Sequence, residues 1–165
     1  MVRCVGRGSC GCAARVGAGV RAQPELATRS LPTSWAVVVD GALPAGLVTN
    51  AVVCVGAAVA ALVPAVVGEG ATDASGTAHP GLPWLGCTIL RGDSATVHAV
   101  RSKALGDPAV LVADMPAVAQ QVRVYADYLA QVRDATEERL AYYAVSLLGP
   151  RKAIDRLVGS LPLLR

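Results

Sequence analysis

Two aspartates close apolar runs. Asp40 ends Trp35-Ala36-Val37-Val38-Val39, and Asp114 ends the run from Ala109 to Ala113. A continuous β-branched run reads as a strand buried on both faces. If such strands lie parallel, both carboxylates face the crevice at the carboxyl edge of the sheet, where open α/β sheets hold ligands. There they can accept hydrogen bonds or act as bases. The plainer role is a turn in which each carboxylate bonds its own backbone. Asn50 sits near the junction of the first strand and its helix, and by itself reads as a solvated amide. Arg151 and Lys152 follow Gly149-Pro150 at the start of the last helix. Free amides and two cations there suit an anion such as phosphate or carboxylate. Two cations on a first helical turn oppose the helix dipole, so a binding role would account for a costly placement. Asp40, Asn50, Asp114, Arg151 and Lys152 are therefore the candidate ligand-binding residues.

Other reactive types fall away. His79 lies in the loop Ala78-His79-Pro80-Gly81 with no fixed nucleophile beside it. Cys54 and Cys87 read as small core residues. Ser160 has no recognisable His–Asp partnership. Gly6, Gly8 and Gly11 match G-x-G-x-x-G, but only Met1 to Val5 precede them, too little for the strand that motif needs. Cys4, Cys10 and Cys12 lack C-x-x-C spacing and a nearby His, so no metal is expected. No phosphate loop exists, and no cofactor is expected. These residues define no reaction, and whether the chain is an enzyme stays open.

Strands and helices alternate to carry these positions. Trp35 to Val39 is the first strand. Gly41 to Gly68 carries no charged residue. Its length invites a membrane-span reading. Against that stand Thr49, Asn50, two glycines, an Ala/Val composition and the absence of aromatic or basic flanks. The reading is a helix over 46–62 packed on the sheet and stopped by Pro64, with no membrane. Gly68 to Pro83 is a loop. A second strand spans 84–90. Asp93 caps a helix over 94–105 that ends at Gly106. Val97, Val100 and Leu105 form its apolar stripe, with His98 and Arg101 off it. The third strand covers 109–113, a helix 117–133, and the fourth strand 140–148, with Thr136 to Arg139 able to pull its start into helix. Pro150 suits position N1 of a last helix through Val158, closed by Gly159. The pattern predicts an α/β fold in three layers.

The charge is unevenly spread. The whole chain of 165 residues carries 15 Lys/Arg, 12 Asp/Glu and a net charge of +3. Five of the arginines lie up to Ser30, against Glu25 alone. The body from Leu31 onward is thus close to neutral, on the acidic side. Residues 1–30 read as a disordered Arg/Gly/Ala-rich leader, and 31–165 as a single α/β domain. No apolar stretch in the leader is long enough for a signal peptide, which points to the cytoplasm. The body has no basic stripe interleaved with aromatics, which argues against nucleic acid as a partner.

The segments VVVDGALPAGLVTNA (37–51), GTAHPG (76–81), TILRGD (88–93) and LLGPRKAIDRLVGSLPLLR (147–165) carry a resemblance. Over about Trp35 to Arg165 the chain resembles a small bacterial family, domain of unknown function 2000. That family is similar in fold to type II peptidyl-tRNA hydrolases, whose closing pattern is mirrored by Gly149-Pro150 and Val158-Gly159-Ser160-Leu161. The resemblance implies a three-layer α/β/α sandwich with a four-stranded mixed sheet, and dimers, which are common in those hydrolases. It does not carry over their machinery. Their first helix bears a Lys shortly before a Gln. Here Asn50 takes roughly the Gln place, while Leu47 and Val48 are not basic. Asp114 matches an aspartate after their third strand, but Met115-Pro116-Ala117-Val118 lacks the Gly, Arg and Thr that follow it. The expected function is binding or processing of a small anionic ligand at the carboxyl edge. The alternatives are a hydrolase-related protein acting on RNA and a non-catalytic homodimeric interaction module.

Overall fold

The computed structural model describes residues 20–23 and 25–165. The two glycine and cysteine strings of the leader lie outside them. The elements are β1 (Thr33–Asp40), α1 (Ala45–Leu62), β2 (Ala71–Thr72), β3 (Ala78–His79), β4 (Thr88–Gly92), α2 (Ser94–Leu105), β5 (Leu111–Pro116), α3 (Val118–Gln121), α4 (Tyr125–Asp134), β6 (Tyr142–Pro150) and α5 (Arg151–Val158). Four strands form one mixed sheet in the order β4-β1-β6-β5. β1 pairs parallel with β4, while β6 runs antiparallel to both β1 and β5. β2 and β3 form a separate small hairpin.

Alternation along β1 builds the three layers. Ala36 and Val38 face α2 and α5, meeting Val97, Val100, Ala104, Ala153 and Ile154. Val37 and Val39 face the other way, onto Val48, Ala51 and Val55 of α1. A strand with both faces covered must be apolar at every position, which is the reason for the unbroken β-branched run. The buried residues of α1 are Val48, Ala51, Val55 and Val59, a single helical stripe against the sheet. The outer edge of β4 is partly covered by the closing segment. The amide of Arg91 donates to Pro162 O and that of Leu164 to Ile89 O, which limits exposed strand edge.

Several boundaries move for identifiable reasons. The second strand begins at Thr88, because Trp84 instead donates its indole N–H to Ala65 O at 2.8 Å and pins the loop. The expected helix over 117–133 is two helices, since Val122 and Val124 are extended. Thr136 to Arg139 does turn helical, as a 3-10 segment over Glu137–Arg139. Pro150 is the residue before α5 and not its first position. Asp93 caps α2 as expected, accepting from the Thr96 amide at 2.8 Å.

The boundary at Leu31 cuts through packed residues. Val20 is buried with Trp35, Val59, Val63 and Leu85. Thr28–Ser30 forms a 3-10 turn, and Thr28 O accepts from Arg151 Nη2 at 2.6 Å. One buried packing contact and one surface hydrogen bond thus tie the end of the arginine-rich segment to the body. Composition cannot register them, because each involves a single residue.

Candidate functional site

The direction of β6 separates the five expected site residues. The connection from β5 to β6 begins and ends at the carboxyl edge, where the Ala117 amide donates to Ala141 O. The chain therefore re-enters the sheet from that edge and runs backwards. Its end, Gly149-Pro150, pairs with Ser34 and Thr33 at the start of β1. Arg151 and Lys152 lie there, while Asp40 lies at the other end of the same strand. Eight strand residues span roughly 25 Å, too far for one small ligand to bridge the aspartates and the cations.

At the carboxyl edge each residue has a local task. Asp40 is buried and its Oδ1 accepts from the Ala42 amide at 3.0 Å, the turn role. Asn50 is exposed on α1, 3.8 Å from Cys54 Sγ. Cys54 and Cys87 are themselves exposed, against the expectation that both are core. Asp114 Oδ2 accepts from Arg101 Nε at 2.6 Å. Arg101 Nη1 also donates to Glu137 Oε1 at 2.9 Å, and its guanidinium carbon lies 4.4 Å from the centre of the Tyr142 ring. His98 stacks at a tilt on the other part of this cluster, 5.8 Å from the Tyr142 ring.

Arg101 was expected off the apolar stripe and is 3% exposed. The signal was available. Val97, Val100, Arg101 and Ala104 stand at i, i+3, i+4 and i+7, which is one helix face. The cavity beside the cluster holds about 10 Å³, space for one water at most. The cluster is therefore a filled ionic network that ties α2 to β5 and to the turn before β6.

The roomier cavity lies at the opposite edge. It holds about 330 Å³ between the start of β1, the start of β4 and the first turn of α5. Thr28, Arg29, Ser34, Trp35, Cys87, Thr88 and Arg151 line it, with no carboxylate among the lining residues. Arg151 is fixed by main-chain acceptors. Its Nε donates to Leu31 O at 2.7 Å and its Nη2 to Thr28 O at 2.6 Å. Gly86, at φ +67°, makes the turn that brings Cys87 to the cavity wall. Cys87 opens onto the cavity, yet the atoms enclosing its thiol push its pKa up to about 12. It therefore stays protonated at neutral pH and is a poor nucleophile. Of the five expected residues, only Arg151 lines this cavity. Lys152 is exposed just beyond it.

The comparisons with known proteins bear on ancestry. A family model described as protein of unknown function (DUF2000) matches residues 33–165. The chain belongs to this family. No curated protein matches. Among solved structures, the DUF2000 chain is similar to the protein of unknown function Atu0240 from Agrobacterium, strain C58. The TM-score is 0.74 at 14% identity, over 81% of this chain and 98% of the other. At that identity the likeness establishes a shared fold.

Proposed function

We propose that this DUF2000 protein binds a small anionic ligand in the cavity at the amino-terminal edge of β1, and not at the carboxyl edge. The observation that carries the reading is Arg151, held by two main-chain carbonyls at a cavity lined also by Arg29 and by no acidic residue. A guanidinium has five N–H donors. Nε and one at Nη2 are spent on the carbonyls, which orients the group and lowers the entropy lost when an anion binds. Ser34, Thr28 and Thr88 add hydroxyls that can donate to phosphate or carboxylate oxygens. The volume suits a metabolite-sized ligand.

Likeness to type II peptidyl-tRNA hydrolases supports no hydrolytic step in this reading. Leu47 and Val48 stand where those enzymes need a lysine, and β5 ends in Met115-Pro116. The test of the anion reading is calorimetric titration with inorganic phosphate and with citrate. Saturable binding is expected, weakened at least tenfold in Arg29→Gln and unchanged in Lys152→Ala. Equal affinity in Arg29→Gln, or no binding to either anion, overturns the reading. Incubation with peptidyl-tRNA is expected to release no tRNA.

A further inference from the structure

The long helix α1 presents a second, unexplained surface. It has 18 residues and no charge, its mean hydropathy is 2.0, and only 22% of it is buried. One stripe, Val48, Ala51, Val55 and Val59, covers the sheet. The opposite stripe, Gly46, Thr49, Asn50, Val53, Cys54, Ala57 and Ala61, is exposed, with Val53 63% exposed. A surface helix ordinarily turns charged residues to that side. Beyond its end the apolar surface continues through exposed Ala65, Val67 and Leu82.

We infer that this face pairs with the same face of a second copy of the chain, two α1 helices crossing antiparallel about a two-fold axis. Three observations commit the face to that occupant. First, Gly41 to Gly68 carries no charge. A charged partner surface would lose water and gain no counter-charge there, so the partner must be uncharged as well. Second, no side chain on the stripe is larger than valine or asparagine, so it accepts a backbone at the short end of helix-packing distances, about 8 Å. Only a face of equally low relief fills that space. Third, the stripe matches itself when reversed. Turning α1 about its midpoint, between Val53 and Cys54, lays Gly46 on Ala61, Asn50 on Ala57 and Val53 on Cys54 of the second copy. A two-fold interface needs this self-complementarity, and it sets the two helix dipoles in opposition, the favourable sense.

Size bounds the strength. A helix of this length is about 27 Å long and about 10 Å wide, so the stripe alone offers roughly 300 Å² per copy. Stable dimers bury about 800 Å² per partner, so the flank of Ala65, Val67 and Leu82 must join the interface, and a micromolar dimer is expected. Spanning a membrane would need Val48, Ala51, Val55 and Val59 to leave the core.

Sedimentation velocity across a micromolar concentration series tests the inference. The full chain is expected to shift from monomer to dimer mass, and Val53→Glu and Ala57→Glu to stay monomeric with an unchanged melting temperature. Cys54 lies beside the proposed axis and provides a second readout. Diamide, which takes up the two hydrogens lost as two thiols become a disulfide, should link copies of a variant in which Cys4, Cys10, Cys12 and Cys87 are replaced by serine, and adding Cys54→Ser should remove that link. A monomer at all concentrations, a dimer untouched by both glutamate variants, or no linking in the variant that keeps Cys54 as its sole cysteine overturns it. So does a monomer that floats with phosphatidylcholine vesicles.

Discussion

Arg101 Nε lies 2.6 Å from Asp114 Oδ2, with the two side chains only 4% and 8% exposed. An arginine from α2 and an aspartate from β5 are thereby taken out of water together. Such a pair is worth little against a well-packed apolar pair, but breaking it removes a charge-assisted hydrogen bond and leaves the buried Arg101 with the half-exposed Glu137 as its ionic partner. Asp114→Ala is expected to lower unfolding free energy by about 1.5–3 kcal/mol. The double variant Arg101→Met with Asp114→Leu should recover most of that loss. Urea unfolding of the three proteins decides it, and a cost for Asp114→Ala of less than about 1 kcal/mol contradicts a contribution of this ion pair to stability.

The amino-terminal contacts make a separate expectation. Val20 is 5% exposed, and Thr28 O holds the Arg151 guanidinium. Val20→Ala should cost about 2 kcal/mol through lost burial and the cavity left behind. Removing residues 1–30 should cost more, since it also leaves Arg151 Nη2 without its acceptor. Thermal unfolding that does not change on truncation would show that neither contact contributes.

Two glycines should behave oppositely. A Cβ on Gly149 would lie 2.8 Å from Ala109 O and 3.3 Å from Val110 Cα, both backbone atoms that cannot swing away. Gly149→Ala is expected to destabilise by about 1–3 kcal/mol. Gly56, inside α1, has nothing within 4 Å of the same position. Gly56→Ala should stabilise by about 0.5–1 kcal/mol through helix propensity. The signs of the two changes in denaturation midpoint check this pair.

The hairpin of β2 and β3 turns on Asp73. The Ser75 hydroxyl, the Thr77 amide and His79 hold the Asp73 carboxyl down, from 3.8 to about 2. A carboxylate with a depressed folded pKa supports the turn above its unfolded value and loses that support as pH falls through the folded one. The hairpin should therefore stay ordered at pH 4 and loosen between about 3.8 and 2. Amide shifts of Ser75 and Thr77 followed by NMR should titrate near 2, and Asp73→Asn should abolish the step. A midpoint near 3.8 would mean that the loop bonds do not persist in solution.

Much of the architecture was legible because it is written in short-range pattern. The β-branched run to Asp40 announced a strand covered on both faces, the stop at Pro64 ended α1, and Asp93 and Gly106 bracketed α2. Arg101 also stands at helical spacing with its buried neighbours Val97, Val100 and Ala104. The α/β class follows from these local signals.

Two matters were decided only by the tertiary structure. Strand polarity is a property of pairing and not of composition. The antiparallel entry of β6 sends Arg151 to one edge of the sheet and leaves Asp40 at the other. The partners of single side chains are equally non-local: Arg101 meets Asp114 and Glu137, and Arg151 meets Thr28 and Leu31, across long stretches of chain. A sequence specifies which groups must be satisfied when buried, since an unpaired charge is costly. Which groups satisfy them depends on where the chain returns, and only the folded arrangement sets that.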